Sequence, residues 1–154
     1  PTQSPKNGWI VLTGDQVVTH DGVILEKPVD IQEAKLFVSR YATSPPSTVG
    51  SVVLTHVPSG IQVSGVDSAT IVFKPSVARH VSVEGKDLVD LLLEDNAPIT
   101  RCAGGLMVEH PLVKQHIERI DGTEDSVMGL SKDLVWKLLD EMRVKLSQAN
   151  VLLV

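Results

Sequence analysis

The stretch Trp9–His20, WIVLTGDQVVTH, decides how the rest of the chain is read. An apolar run of strand length stops at Gly14, Asp15 and Gln16, and a second apolar pair, Val17 and Val18, follows at once. WIVLTG reads as a strand, and QVVTH, DG and VILEKP after it read as a β-hairpin. An acid at a strand end has two readings. It is a turn residue, or it is a carboxylate delivered to the crevice that strand ends line in an α/β sheet. Taken alone, Asp15 reads as a turn aspartate.

The segments around this stretch alternate between strand and helix signals. Pro1 to Gly8, PTQSPKNG, is polar and rich in breakers, so it is expected to be a flexible N-terminal segment. Asp30 starts a helix, DIQEAKLFVSRYA, with Glu33 three residues on in a capping-box pattern. Ala34, Phe37, Val38 and Tyr41 share one face of it, and the prolines of TSPPS end it. STVGSVVLTHV and IQVSGVDSATIVF are rich in β-branched residues and are joined by PSG, which predicts a second hairpin. VEGKDLVDLLLEDN predicts a helix whose apolar face holds Leu88, Leu91 and Leu92. The paired glycines of ITRCAGGLMVEHP point to backbone in close approach to a neighbour. PLVKQHIERIDGTEDSVMGL reads as a short helical or extended piece, a strand and a loop. SKDLVWKLLDEMRVKLSQAN reads as a helix capped by Ser131, with Leu134, Val135, Leu138, Leu139 and Met142 on its apolar side. Residues 9–154 are therefore expected to form a single α/β domain.

Bulk composition narrows the function classes. Only 3% of the 154 residues are aromatic against 42% hydrophobic, so the core must be aliphatic. A net charge of −5 speaks against a general binder of nucleic-acid polymers or membrane surfaces. The single Cys102 excludes an internal disulfide framework and a cysteine zinc site. No apolar run approaches the roughly 18 residues of a membrane helix, and the expected location is the cytoplasm.

The familiar motifs are absent. There is no Walker-type loop, CAGG is too short for a dinucleotide fingerprint, and no G-x-S-x-G elbow occurs. The five histidines lack a metal-binding spacing and are read as surface or loop residues. Cys102 beside Arg101 is either a thiol of lowered pKa or small core filler. Lys27, beside Pro28, can meet Asp15 across the intervening hairpin. That pair suits a phosphate ester, the acid holding a metal or water and the lysine neutralising oxygens. The alternative is a turn aspartate and a solvated lysine. Glu33 is already explained by the capping box. Glu109, after AGGLMV, either reads a base edge or is solvated.

The order of the pieces adds what no single piece carries. TGDQVV, then ILEKP, then a helical EA, followed by VGSVVLT, SGVDSATIVF, CAGGLMVEH and DSVMGL, resembles the Maf-like nucleoside-triphosphate pyrophosphatase family. The resemblance runs from about Trp9 to Met142. It implies a mixed-sheet α/β fold of the Maf and inosine-triphosphatase kind, in two lobes with a nucleotide cleft between them. It further implies hydrolysis of nucleoside triphosphates between the α and β phosphates, assisted by a divalent metal, magnesium or manganese. Asp15 matches the family's general base and metal-holding acid, Lys27 its phosphate-binding lysine, and Glu33 the acid at the helix start. Gln16 and Glu109, with cysteine before the alanine in CAGG, are similar to the branch acting on 7-methyl-GTP. A carboxylate accepts from guanine N1–H and the 2-amino group and favours the cationic methylated base.

The chain also departs from the family pattern. It starts in the loop before WIVLTGD, without the Ser-Pro-Arg-Arg-type loop that grips the triphosphate and without a further lysine downstream of it. Arg101 stands where the family often has an acid, and Ser131 where it usually has proline. Two expectations follow: an N-terminally shortened domain with reduced turnover, and a homodimer that covers the sheet left open. The competing reading is a nucleotide-binding or interaction module that keeps the fold without the catalysis.

Overall fold

The structure is a computed structural model that describes residues 8–57, 59–79 and 82–149; residues 1–7 of the expected flexible segment lie outside the described residues. β1 (Trp9–His20) is one unbroken strand through Gly14 and Asp15. The sequence predicts a strand end at Asp15; instead the backbone pairs on both sides of it. Val17 and Val18 continue the β-branched run, and β3 (Ser47–Val57) supplies hydrogen-bond partners from Trp9↔Val57 to Thr19↔Ser47. Asp21 and Gly22, both at positive φ, turn the chain into the short β2 (Val23–Leu25).

β3 returns as β4 (Gln62–Phe73), the expected second hairpin, and β4 pairs with β5 (Ile117–Asp121). The strand order is β2-β1-β3-β4-β5. The α/β class matches the sequence reading, and where a mixed sheet is expected every pairing among the described residues is antiparallel.

The helices are α1 (Ile31–Arg40), α2 (Leu88–Glu94), the single turns α3 (Pro111–Lys114) and α4 (Glu124–Val127), and the long α5 (Lys132–Gln148). Their starts follow the sequence. Asp30 accepts from the Glu33 backbone N–H, and Glu33 reaches back to the Val29 N–H at 2.7 Å rather than to the cap residue itself. Asp87 and Asp90 form a reciprocal capping box on α2, and Ser131 caps α5. Lys35 ties α1 to α2 through Asp87 and Asp90, at 2.9 and 2.7 Å. Hydrogen bonding to Asp90 first, then Asp87, raises its pKa.

Alternation along a strand sends successive side chains to opposite faces. One face carries Gln16 and Val18 of β1, Thr48 to Leu54 of β3 at even numbers, and Val63 to Phe73 of β4 at odd numbers. This face is covered. At one end α1 and α2 pack on Val18, Ala69, Ile71 and Phe73, and at the other α5 packs Leu138, Met142 and Leu146 on Val52, Leu54 and Val63. On the opposite face of these three strands no side chain is buried. Trp9, Val11, Val57 and Val66 stand exposed there, and Trp136 stands exposed on α5.

The histidines depart from expectation: His20, His56 and His116 are buried. Each has found a polar partner in an apolar setting, His20 at the Ser44 carbonyl, His56 at the Ser59 hydroxyl and His116 at the Ser76 hydroxyl.

Candidate functional site

The two covered regions meet at one row of residues across the sheet, Gln16 on β1, Gly50 on β3 and Asp67 on β4. These positions face inward, yet two of the three are polar. α4 sits over them. Its Thr123 cap accepts from the Ser126 N–H, which sets Ser126 against the sheet. The Gln16 Nε2 donates to the Ser126 carbonyl at 2.7 Å, and the Ser126 hydroxyl donates to the Asp67 carboxylate at 2.5 Å. That hydroxyl holds the Asp67 carboxyl below the usual carboxylate range.

Beside this row lies a cavity of about 230 Å³, lined largely by apolar groups, with Val18, Thr48 and Phe73 from the sheet side. Its other wall is the segment after Pro98, where two short 3₁₀ turns carry Cys102, Met107 and Glu109 to the rim. The expected close approach of the paired glycines is real. Gly104 has φ of 71°, and a Cβ there would lie 2.9 Å from the Tyr41 hydroxyl and 3.0 Å from Val18. Only glycine fits. Tyr41, buried at the C-terminal cap of α1, donates to the Gly104 carbonyl at 2.7 Å, and burial pushes its pKa up. The Gly104 N–H in turn donates to the Glu26 carbonyl at 3.2 Å, so the loop is pinned to the segment that carries Lys27.

Of the five residues singled out from the sequence, Gln16 and Glu109 line this one cavity. Cys102 lines the cavity with Glu109, whereas Lys27 is outside the lining, on the segment that the Gly104–Glu26 bond ties to the cavity loop. The lowered thiol pKa considered for Cys102 is not what forms. Burial raises it, Glu109 adds to the rise, and Lys27 opposes it. Asp15 is exposed and lies outside the cavity lining; its Oδ1 accepts from the Gln16 N–H at 2.8 Å, and alternation starts its side chain on the uncovered face. Glu33 is half-buried, engaged with the start of α1, and also outside the lining.

Asp67 and Ser126 were missed by sequence reasoning. The signal was present in QVSGVDSATIVF, where Val63, Ala69, Ile71 and Phe73 mark the inward register and Asp67 falls in step with them. An acid at an inward strand position needs a partner. Ser126 is that partner.

Comparison with protein families matches residues 2–142 to the family described as Maf-like protein. Two curated proteins are similar. The 7-methyl-GTP pyrophosphatase of Dictyostelium discoideum is 30% identical over 133 residues, covering 86% of this chain and 62% of that protein. The dTTP/UTP pyrophosphatase of Salinibacter ruber is 25% identical over 150 residues, covering 97% of this chain and 69% of that protein. The chain thus spans somewhat under and somewhat over two thirds of the length of these relatives. With residues 2–142 of its 154 matched, the chain belongs to the Maf-like protein family.

Proposed function

We propose that residues 9–154 act as one domain of a cytoplasmic nucleoside-triphosphate pyrophosphatase with 7-methyl-GTP as its favoured substrate. The observation that carries this reading is the meeting of Gln16 and Glu109 at one cavity, with the segment that carries Lys27 bonded to the cavity loop through Gly104 and Glu26. The names of the two similar proteins, both pyrophosphatases of nucleotides, point the same way.

The chemistry divides between the base and the phosphates. The apolar cavity takes the base, and the Glu109 carboxylate accepts from its N–H edge and favours a cationic ring. Lys27 neutralises phosphate oxygens. Asp15, next in the chain to Gln16, orients a water and takes its proton as the water oxygen bonds to the α-phosphorus. The bond from that phosphorus to the bridging oxygen breaks, and pyrophosphate leaves. Glu33, already bound to the Val29 N–H, steadies the segment between Lys27 and α1.

A divalent cation fits this arrangement as a companion of the substrate. Among the described residues no group of three or more His, Cys, Asp or Glu side chains converges to cage a metal. Magnesium is commonly held by one or two carboxylates together with substrate phosphates. Asp15 is exposed and has one carboxylate oxygen outside any hydrogen bond among the described residues, so it would hold such an ion, magnesium or manganese. When bound, the ion supplies positive charge to the phosphate oxygens.

The test is pyrophosphate release from 7-methyl-GTP, GTP, UTP and dTTP with magnesium or manganese. Release is expected to be fastest from 7-methyl-GTP, and Asp15→Asn should lower turnover by about 10²- to 10⁴-fold while sparing binding. An Asp15→Asn protein with unchanged turnover would remove Asp15 as the base, and no product from any nucleotide would remove the enzyme reading. We further propose a homodimer, supported by the exposed Trp9, Val11, Val57 and Val66 on the uncovered face. Light scattering should then give twice the mass of the chain; a single-chain mass at micromolar concentration refutes it.

A further inference from the structure

The amide of Gln16 has two ends, and the fold uses one of them. Only the NH₂ end can donate to a carbonyl, so the 2.7 Å bond to the Ser126 carbonyl fixes which way the amide points. The Oε1 is left without a hydrogen bond among the described residues. It lies beside Gly129, where a Cβ would come within 3.6 Å of it. Gly50, the middle member of the row, lies beside the amide. A Cβ there would already stand 4.0 Å from the Gln16 Nε2, so a branched side chain would crowd the path of the amide.

The group that Gln16 leans on is itself held from the far side. Ser126 is buried, and its hydroxyl donates to Asp67 at 2.5 Å while its carbonyl receives Gln16. The Ser131 hydroxyl, at the start of α5, adds to the lowering of the Asp67 carboxyl. The chain of contacts runs from β4 through α4 to β1 and ends at the cavity.

We propose that Asp67 is a positioning residue which, through Ser126, sets the Gln16 amide so that Oε1 is presented to the bound molecule. The ligand group it selects is an N–H or O–H donor. Identifying that donor as part of the nucleotide seated in the cavity rests on the pyrophosphatase reading above. Asp67 touches neither the substrate nor the reacting atoms. Its contribution is to the direction of another residue's side chain.

The side-chain amide signals of Gln16 in an ¹⁵N-correlation NMR spectrum read this directly, assigned by their loss in Gln16→Ala. In the native chain the two Nε2 protons should be well separated and slow to exchange. Asp67→Ala and Ser126→Ala should move them to the position of free glutamine, and Ser126→Thr, which keeps the hydroxyl, should restore them. Unchanged Gln16 signals in either alanine variant, with the backbone spectrum still dispersed, would overturn the proposal. Should Asp67→Ala fail to fold, the alanine and threonine variants at Ser126 decide the matter between them. With 7-methyl-GTP as the probe, Asp67→Ala should raise KM about tenfold with kcat unchanged, the worth of roughly one hydrogen bond. That rise should vanish when Gln16 is already alanine. An equal rise in both backgrounds would overturn the proposal. If the native chain turns over no nucleotide at all, the pyrophosphatase reading fails, and the amide signals still decide whether Asp67 orients Gln16.

Discussion

The two apolar regions on the covered face of the sheet are built by different rules. Under α5 the packing is regular, with Leu138, Met142 and Leu146 repeating at helical spacing over Val52, Leu54 and Val63. Around the cavity it is assembled from pieces: α1, α2, the two 3₁₀ turns and the ends of β1 and β4. A continuous helix on a sheet leaves little space for a ligand. Short pieces held by single bonds, such as Tyr41 to Gly104, leave a cavity and need a particular residue at each joint. The regular half is expected to hold the fold, and the irregular half to hold the ligand. The row Gln16–Gly50–Asp67 is the seam between them.

This contrast can be broken by separating stability from binding. The largest effect is expected from Met142→Ala, which empties a fully buried position in the regular half. It should cost about 2–5 kcal/mol in denaturant unfolding, with nucleotide affinity unchanged under conditions where the variant is folded. Loss of affinity in the folded variant would erase the distinction. Gly104→Val should cost less, about 1–3 kcal/mol, because a branched residue is forced to positive φ against Tyr41 and Val18. Here affinity should fall even where the protein remains folded, as read by nucleotide titration. Retained affinity would show that the loop does not shape the site.

The smallest effect belongs to the seam. The Asp67 carboxyl is held below its ordinary value, chiefly by the Ser126 hydroxyl. A depressed carboxylate stabilises the fold fully above its unfolded pKa of about 3.9, and the contribution is lost as pH falls through the folded value. Denaturant midpoints should therefore drop below about pH 4. Asp67→Asn should remove part of that drop because asparagine does not titrate there. An identical pH profile for the two proteins would deny Asp67 a share in acid stability. The residue is only half-buried, which keeps the expected change small.

Legibility in the sequence followed the same division. Helix α5, with its Ser131 cap and apolar face, was plain because both signals are local and periodic. So were the β3–β4 hairpin and the Asp30 cap of α1. Asp15 was misplaced at a strand end because Gly14-Asp15 is a turn signal locally, and eleven pairings with β3 overrule it. Those partners lie 28 to 48 residues away and leave no mark on the local pattern. The burial of His20 and His116 was hidden for a similar reason, since their partners Ser44 and Ser76 lie 24 and 40 residues away. Gln16 and Glu109 came from a family resemblance, and the cavity joins them. The seam of Asp67 and Ser126 needed the register of β4 and the placement of α4 together, which no single stretch of sequence states.

The positions of the two tryptophans have a practical consequence for spectroscopy. Trp9 and Trp136 are about two-thirds exposed, and neither lines the cavity. Their emission in the folded chain should already resemble that of tryptophan in water, so intrinsic fluorescence is a poor gauge of unfolding and of cavity filling. Circular dichroism and amide NMR are the better gauges of both. Trp9, however, stands on the open face of the sheet, and anything that docks there should shift its emission to the blue. The molecule therefore carries a natural optical reporter for association on that face, outside the cavity lining.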